Sequence, residues 1–242
     1  MRTHRVFVLE EIIDERLNMQ PLSPSDFDAL MARGWRLLGF SIVRHNYGIH
    51  HEELCRTIPL RIRLDYPPLL SRSQRKLLRR NAHLEVQFGP INITAEKKEL
   101  FLEHTRRFKT SVPNSIFCFL HPNPALPVPG MELCVFDRGK LIACSYMHTG
   151  RKAASATYCF FDPNYAHYRL GIFTMLLEIE MARKMGKKFY YHGYCYDVPS
   201  PFDYKLNFYQ LEQMNWRTGA WTPLERIPKR TAHDLSSPEI NG

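Results

Sequence analysis

The alternation of apolar and polar positions divides this chain into short strands and helices, and it is sharpest in one stretch. From Ala156 the chain runs through Tyr158, Cys159, Phe160 and Phe161 to Asp162-Pro163. This aromatic run, stopped by a turn signal, predicts a buried strand. Farther on, Ile172, Met175, Leu176, Ile179 and Met185 recur at helical spacing, with Phe173 and Leu177 beside them. A polar turn carrying Arg169 and Gly171 lies between, with Gly171 where the helix would begin. A strand, a turn and a helix in this order leave the helix's first N–H groups unpaired and facing the turn. An anion or a carbonyl oxygen suits such a place.

The remaining elements follow the same logic. A strand followed by an acidic connector is expected over residues 1–18, then a helix entered at Pro21–Asp28, where Ser23 or Ser25 can cap and Asp26 and Asp28 face the dipole. Phe27, Leu30 and Met31 form its apolar side and Gly34 ends it. Arg36 to Val43 reads as a strand and residues 44–53 as a loop. Ile58, Leu60, Ile62 and Leu64 alternate with Pro59, Arg61 and Arg63, a half-buried strand that Pro59 places near an edge. Residues 84–88 form a short strand, and Thr94 caps a helix from Ala95 to about Lys109 with Leu100, Phe101 and His104 on one side. Residues 111–129 form a proline-rich loop or lid. Met131–Asp137 and Leu141–Met147 make a hairpin across Arg138-Gly139-Lys140. Phe189–Tyr196 is the next strand, and residues 200–208 lead into a short helix. Residues 223–242 are expected to be a polar, flexible tail.

One predicted helix is unusual in its charge. In Ser71-Arg-Ser-Gln-Arg-Lys-Leu-Leu-Arg-Arg-Asn81, Ser71 or Ser73 can cap, and Arg72, Arg75, Lys76, Arg79 and Arg80 fall within an arc of about 140°. Leu77 and Leu78 fall opposite. A solvated face is one reading of this arc, and a grip on a phosphate backbone is the other. The whole chain of 242 residues has a formal net charge of +9, which favours a polyanionic partner. With 44% hydrophobic and 24% charged residues it has an ordinary globular composition. No apolar run reaches the roughly 20 residues of a membrane span, and the start is too short in apolar residues for a signal peptide, so no membrane partner and a cytoplasmic location are expected. The 6 cysteines form no C-x-x-C pair. Cys118, Cys134, Cys144 and Cys159 sit in apolar runs and read as buried thiols. The 11 histidines are scattered, and no metal site is expected.

The order hairpin, strand, turn, helix, strand, short helix resembles the core of the GNAT acyltransferase fold. The coenzyme A signature of that fold, R/Q-x-x-G-x-G/A, fails here: Tyr168 stands three before Gly171, and the bulky Phe173 stands two after it, where the pyrophosphate needs close backbone approach. Further pieces are Phe27 to Arg36, Ile58-Pro-Leu-Arg61-Ile, Ser71-Arg-Ser-Gln-Arg75, Arg79-Arg-Asn81, Phe160-Phe-Asp162-Pro, Leu170-Gly171, Tyr191-x-Gly193-Tyr194 and Tyr204-Lys205-x-x-Phe208. In this order they resemble the aminoacyl-tRNA–protein transferases, the arginyl- and leucyl-transferring enzymes of the N-degron pathway. The family's clustered cysteines are missing: the corresponding places read Val8-Leu-Glu-Glu and Tyr47 to Cys55. Any metal or cluster role of those cysteines should therefore be absent.

The resemblance implies an α/β (α+β) fold. A GNAT-like domain over residues 71–222, with a mixed central sheet, would follow a smaller α+β region over 1–70. It implies transfer of an amino acid, arginine or leucine, from aminoacyl-tRNA to the N-terminal α-amine of a protein or peptide. The ester is already activated, so no cofactor is required. The acceptor amine, of pKa near roughly 8, must lose a proton, and the oxyanion and departing ribose hydroxyl must be stabilised. Asp162, at the strand end, would bind the ammonium, with a turn cap as its alternative role. Tyr194, Tyr204 and Lys205 complete the expected catalytic set. Arg72, Ser73, Gln74, Arg75, Asn81, Tyr158, Leu170, Gly171 and Tyr191 are expected substrate contacts, and Lys76, Arg79 and Arg80 tRNA contacts. An acyl-CoA-dependent N-acyltransferase and a non-catalytic RNA-binding relative are the alternative functions.

Overall fold

A computed structural model describes residues 11–50, 52–109 and 112–224. β1 (Asp14–Asn18) lies at the end of the stretch 1–18, where the acidic connector was expected, and residues 1–10 and most of the expected tail, 225–242, lie outside the described residues. β1 forms a three-stranded antiparallel sheet with β2 (Arg36–Leu38) and β3 (Ser41–His45), in the order β1-β3-β2. Helix α1 (Pro24–Ala32) begins where Ser23 Oγ accepts the Asp26 N–H at 3.1 Å, and it ends before Gly34. The single strand expected from Arg36 to Val43 is two strands, because Gly39 turns the chain at φ +57°. Part of the expected loop after it is β4 (Tyr47–His50), which pairs with β5 (Glu53–Arg63).

The main sheet has nine strands. The others are β6 (Glu85–Pro90), β7 (Gly130–Asp137), β8 (Lys140–Thr149), β9 (Ala153–Phe161), β10 (Phe189–Tyr196), β11 (Leu211–Met214) and β12 (Trp221–Pro223). They run in the order β12-β11-β5-β10-β9-β8-β7-β6, with β4 on β5. Arg138 and Gly139, both at positive φ, make the tight β7–β8 turn. Every pairing is antiparallel except β9 with β10. A parallel pair needs a crossover, and helix α4 (Leu170–Lys184) supplies it. The fold is thus the expected α+β class with a mixed sheet.

β5 is not the edge strand that Pro59 suggested, because β10 pairs with one side of it. On the other side β4 covers residues 53–56 and β11 covers 60–62, so Pro59 sits in the interval where that side is unpaired. β5 lies before the expected boundary at residue 70 and pairs with β10 and β11, which lie after it. β11 and β12 lie in a stretch where no strand was expected, and β12 ends at Pro223.

Two faces of the sheet are covered. Leu170, Phe173, Leu176 and Ile179 of α4 and Leu77 of α2 (Arg72–Arg80) pack with Leu60, Ile62, Ala143 and Met147. Across the sheet, Leu100 and Phe101 of α3 (Ala95–Thr105) pack with Ile116, Leu120, Cys144, Tyr146 and Phe160. A third cluster joins Phe27 and Met31 of α1 to Trp35, Ile42 and Tyr191. Helix α3 stops four residues short of the expected Lys109. Cys134 and Cys144 are buried as expected, whereas Cys118 is exposed. No described helix is long and apolar enough to cross a membrane.

Candidate active site

The parallel pair β9 and β10 is short. Only Ala153–Ser155 and Phe189–Tyr191 face each other, and beyond them each strand follows its other neighbour. β9 stays with β8 as far as Phe161, while β10 bulges between Tyr191 and Gly193 and stays with β5 to Tyr196. The gap that opens between them holds a cavity of about 950 Å³. His104, Arg107 and Phe119 line it from the α3 side, and Thr174 and Glu178 from the α4 side, so the cavity passes through the sheet. Leu170 and Gly171 line its mouth, where α4 begins without a side-chain cap. The uncapped helix start predicted from the sequence therefore borders a cleft. Arg169 just before it has φ +51°, a left-handed conformation that is costly for a side chain with a Cβ.

Of the expected site residues, Tyr158, Leu170, Gly171, Tyr194, Tyr204 and Lys205 line this cleft. Lys205 is 5% exposed and donates its Nζ to the Tyr194 carbonyl at 2.8 Å. Burial, with Arg36 adding to it, brings the Lys205 ammonium down to about 7. Burial pushes the Tyr194 and Tyr204 phenols up to about 12, so both stay protonated donors at neutral pH. The Tyr194 hydroxyl donates to the Gly34 carbonyl. The Tyr158 ring stacks on Phe119 at 3.7 Å.

Other expected residues are elsewhere. Asp162 lines neither cavity: it accepts from Lys140 Nζ at 2.8 Å and from the Asn164 N–H at 2.9 Å. It is the turn cap, and its side chain faces Lys140 of β8 rather than the cleft. Lys140 is exposed, so this ion pair is of the weak surface kind. Tyr191 points to the α1 cluster, where its hydroxyl accepts from Arg61 Nη1 at 3.3 Å. Alternation along β10 sends Tyr190 and Tyr191 to opposite faces, which explains why only one of them meets the cleft. Asn81 is fully buried and donates Nδ2 to the Tyr168 carbonyl at 2.8 Å, ending α2 against the turn.

Helix α2 carries a complete capping box: Ser71 Oγ accepts the Gln74 N–H and Gln74 Oε1 accepts the Ser71 N–H. Gln74 and Leu77 are buried, while Arg72, Arg75, Lys76, Arg79 and Arg80 are all exposed. Ser73, Gln74 and Leu77 line a second cavity, of about 990 Å³, together with Asn207, Tyr209 and Gln210. Arg169, Ile172 and Tyr204 line both cavities. The two cavities therefore adjoin, with Tyr204 on the wall between them.

Among the residues of the cleft that escaped the sequence reading as site residues are Arg36, Arg107, Glu178 and His192. Arg36 crosses the backbone of Gly193 and lies over the Tyr194 ring at 4.8 Å. It lies within a fragment that carries the family resemblance, but nothing local aims it at a cleft. Glu178 had a usable signal, a charged residue amid the apolar face of α4, since such residues are buried only for a reason. His192 alternates with Tyr190 on the cleft side of β10. Arg36, Arg107, Arg169 and Lys205 are all cationic, and among the described residues none of them makes an ion pair. Glu178 is the single carboxyl group lining the cleft. The geometry suits a ligand with anionic groups near the mouth and a carbonyl at the start of α4. Among the described residues no three His, Cys, Asp or Glu side chains are grouped to hold a metal.

Comparison with known proteins gives concordant results. Residues 92–215 match the family described as "Arginine-tRNA-protein transferase, C terminus". The chain is similar to a protein of Chromohalobacter salexigens named aspartate/glutamate leucyltransferase, 31% identical over 199 residues, covering 79% of this chain and 77% of that one. A Campylobacter jejuni protein of the same name is 26% identical over 190 residues, covering 74% and 75%. Among solved structures, L-PGS from Bacillus licheniformis is similar at a TM-score of 0.45 and 9% identity, over 74% of this chain and 52% of that one.

Proposed function

Because this chain belongs to the arginine-tRNA-protein transferase family, we propose that it moves an amino acid from aminoacyl-tRNA to the N-terminal α-amine of a protein, with Asp or Glu as the acceptor residue. The relatives' name supplies the acceptor class, and the donors consistent with the family are arginine and leucine. Charged tRNA is the donor pool of the cytoplasm, which is where the reaction would run.

The observation that carries the reading is the pair of adjoining cavities. Helix α2, whose other face carries the exposed arginines, lines one of them with Ser73, Gln74 and Leu77, and Tyr204 and Arg169 line both that one and the cleft. A tRNA 3′ end held by its phosphates along α2 would enter the first cavity and present its ester at the start of α4. There the Leu170 and Gly171 N–H groups face the carbonyl oxygen as it gains negative charge. Half-buried Arg36 and buried Lys205, which pair with no carboxylate among the described residues, receive the acidic side chain of the acceptor. The acceptor amine gives up one proton as its nitrogen bonds to the ester carbonyl carbon. The C–O bond to the ribose then breaks, and the ribose oxygen takes up a proton. Tyr204, kept protonated and standing between the cavities, gives its proton to that oxygen and takes up the one the nitrogen released, so that the phenol is restored.

Incubation with total charged tRNA and peptides beginning with Asp, Glu, Lys or Arg, read by mass spectrometry, tests the proposal. The Asp and Glu peptides should gain the mass of one amino-acid residue. If every peptide remains unmodified while the tRNA stays charged, the proposal fails.

A further inference from the structure

At the α4 side of the cleft lies a cluster that the transfer chemistry leaves unused. Glu178 projects from α4, is 1% exposed, and accepts hydrogen bonds from the Ser145 hydroxyl of β8 at 2.5 Å and from the Tyr190 hydroxyl of β10. His192 lies next along the cleft face of β10, its ring 6.2 Å from that of Tyr190 and nearly parallel to it. Its Nε2 faces the Lys205 carbonyl at 3.3 Å, and its buried Nδ1 has no hydrogen-bond partner among the described residues. All four side chains line the cavity.

This cluster lacks a cation. A carboxylate offers about four lone-pair directions, and two hydroxyls occupy only part of them. The ordinary way to bury a carboxylate is to pair it, yet no described cationic side chain forms an ion pair with Glu178. Burial raises its carboxyl to about 7, the two hydroxyls oppose that rise, and Arg36, Arg107 and Lys205 do not contribute to it. Arg36, Arg107 and Lys205 line the same cleft without forming an ion pair with this acid. A leucine side chain against the cluster would strand a carboxyl group and an imidazole nitrogen in apolar contact. A guanidinium or ammonium would meet both.

We propose that Glu178, Ser145, Tyr190 and His192 form the recognition site for a cationic side chain on the transferred amino acid, so that the preferred donor is a basic aminoacyl-tRNA. Arginine fits first, because its planar fork carries five donors and can reach Glu178 and His192 together. The inference rests on the reading of this chain as an aminoacyl-tRNA-dependent transferase. It separates the donor of this chain from the leucine for which its relatives are named.

The test uses the full chain, a peptide beginning with Glu, and tRNA charged separately with arginine, lysine, leucine or phenylalanine. The values of kcat/KM are compared for the parent, Glu178→Gln and Ser145→Ala. The parent should prefer arginine or lysine over leucine. Glu178→Gln keeps the size and an acceptor oxygen but loses the charge, and it should lower the arginine-to-leucine ratio by about tenfold to a hundredfold. Ser145→Ala should lower the same ratio less and serves alone if Glu178→Gln does not fold. A parent that prefers leucine overturns the inference and leaves the transferase reading intact. An equal loss for every donor also overturns it, by making Glu178 a base or a structural group. No transfer from any charged tRNA removes the transferase reading itself, and the inference with it.

Discussion

Gly193 shows how much of the cleft depends on one residue. Its φ is +95°, and a Cβ there would lie 2.8 Å from the guanidinium carbon of Arg36. Glycine both permits the bend of β10 and lets Arg36 cross it into the cleft. Gly193→Ala should cost about 1–3 kcal/mol in urea unfolding from backbone strain, and it should impair transfer by displacing Arg36. A fully active variant of parental stability would contradict this account. Glu178 makes a second prediction, on pH. Its folded-state pKa of about 7 lies above the ordinary 4.5, so as pH rises the unfolded chain loses this proton first. The acid therefore lowers stability progressively from pH about 4.5 to about 7 and adds nothing further above. Lys205 acts in the opposite sense and in another window: its folded pKa of about 7 lies below 10.5, so its cost is full below pH about 7 and relieved toward 10.5. Urea midpoints across this range should show a shallower fall for Glu178→Gln between pH about 4.5 and 7, with the alkaline limb unchanged. At this scale the sequence revealed residue types and order but not side-chain direction. Asp162 and Tyr191 lie where expected along the chain and still point away from the cleft.

At the scale of elements, α2 is the part whose structure agrees most closely with its pattern. The helical arc predicted five exposed cations opposite Leu77 and Leu78, and the helix has them, with Leu77 buried and Leu78 half-buried. Periodicity suffices for such an amphipathic element because one face must pack and the other need not. It fails for short strands, where pairing decides. β4 exists because it pairs with β5, and β11 because it adds to the other side of the same strand. The two faces of α2 give separable predictions. Changing Arg75, Arg79 and Arg80 to Gln should weaken tRNA binding and flatten its salt dependence by about 0.9 log units per log unit of salt for each duplex phosphate no longer neutralised. Thermal stability should stay near that of the parent. Leu77→Ala should instead cost about 2–5 kcal/mol of stability through its place in the core. A filter-binding titration in which the triple variant matches the parent in affinity and slope would leave α2 a solvated face.

For the whole molecule, the deciding fact is that the cleft has walls from distant parts of the chain. Arg36 comes from β2, Arg107 follows α3, Glu178 is on α4 and Lys205 lies beyond β10. The core from β7 to β10 was legible because its elements are consecutive and each carries its own period. The sequence did not show that β5, far earlier in the chain, completes that core, since antiparallel pairing leaves no local trace of its partner. The division expected at residue 70 would separate β5 from β10 and β11. β5 puts Leu60 and Ile62 into the cluster that also holds Leu170, Tyr190 and Leu211. A fragment starting at residue 71 would expose this cluster and leave one edge of β10 without its ladder partner. Such a fragment should therefore lack a cooperative unfolding transition, although it contains the whole segment 92–215 that matches the family. A fragment starting at residue 41 restores β5 with β3 and β4 but still lacks Arg36. It should recover part of the transition while failing to transfer an amino acid. Circular dichroism with urea titration compares the two. Cooperative unfolding of the shorter fragment with parental steepness would establish an independent domain after residue 70 and refute the claim that β5 belongs to the folding unit.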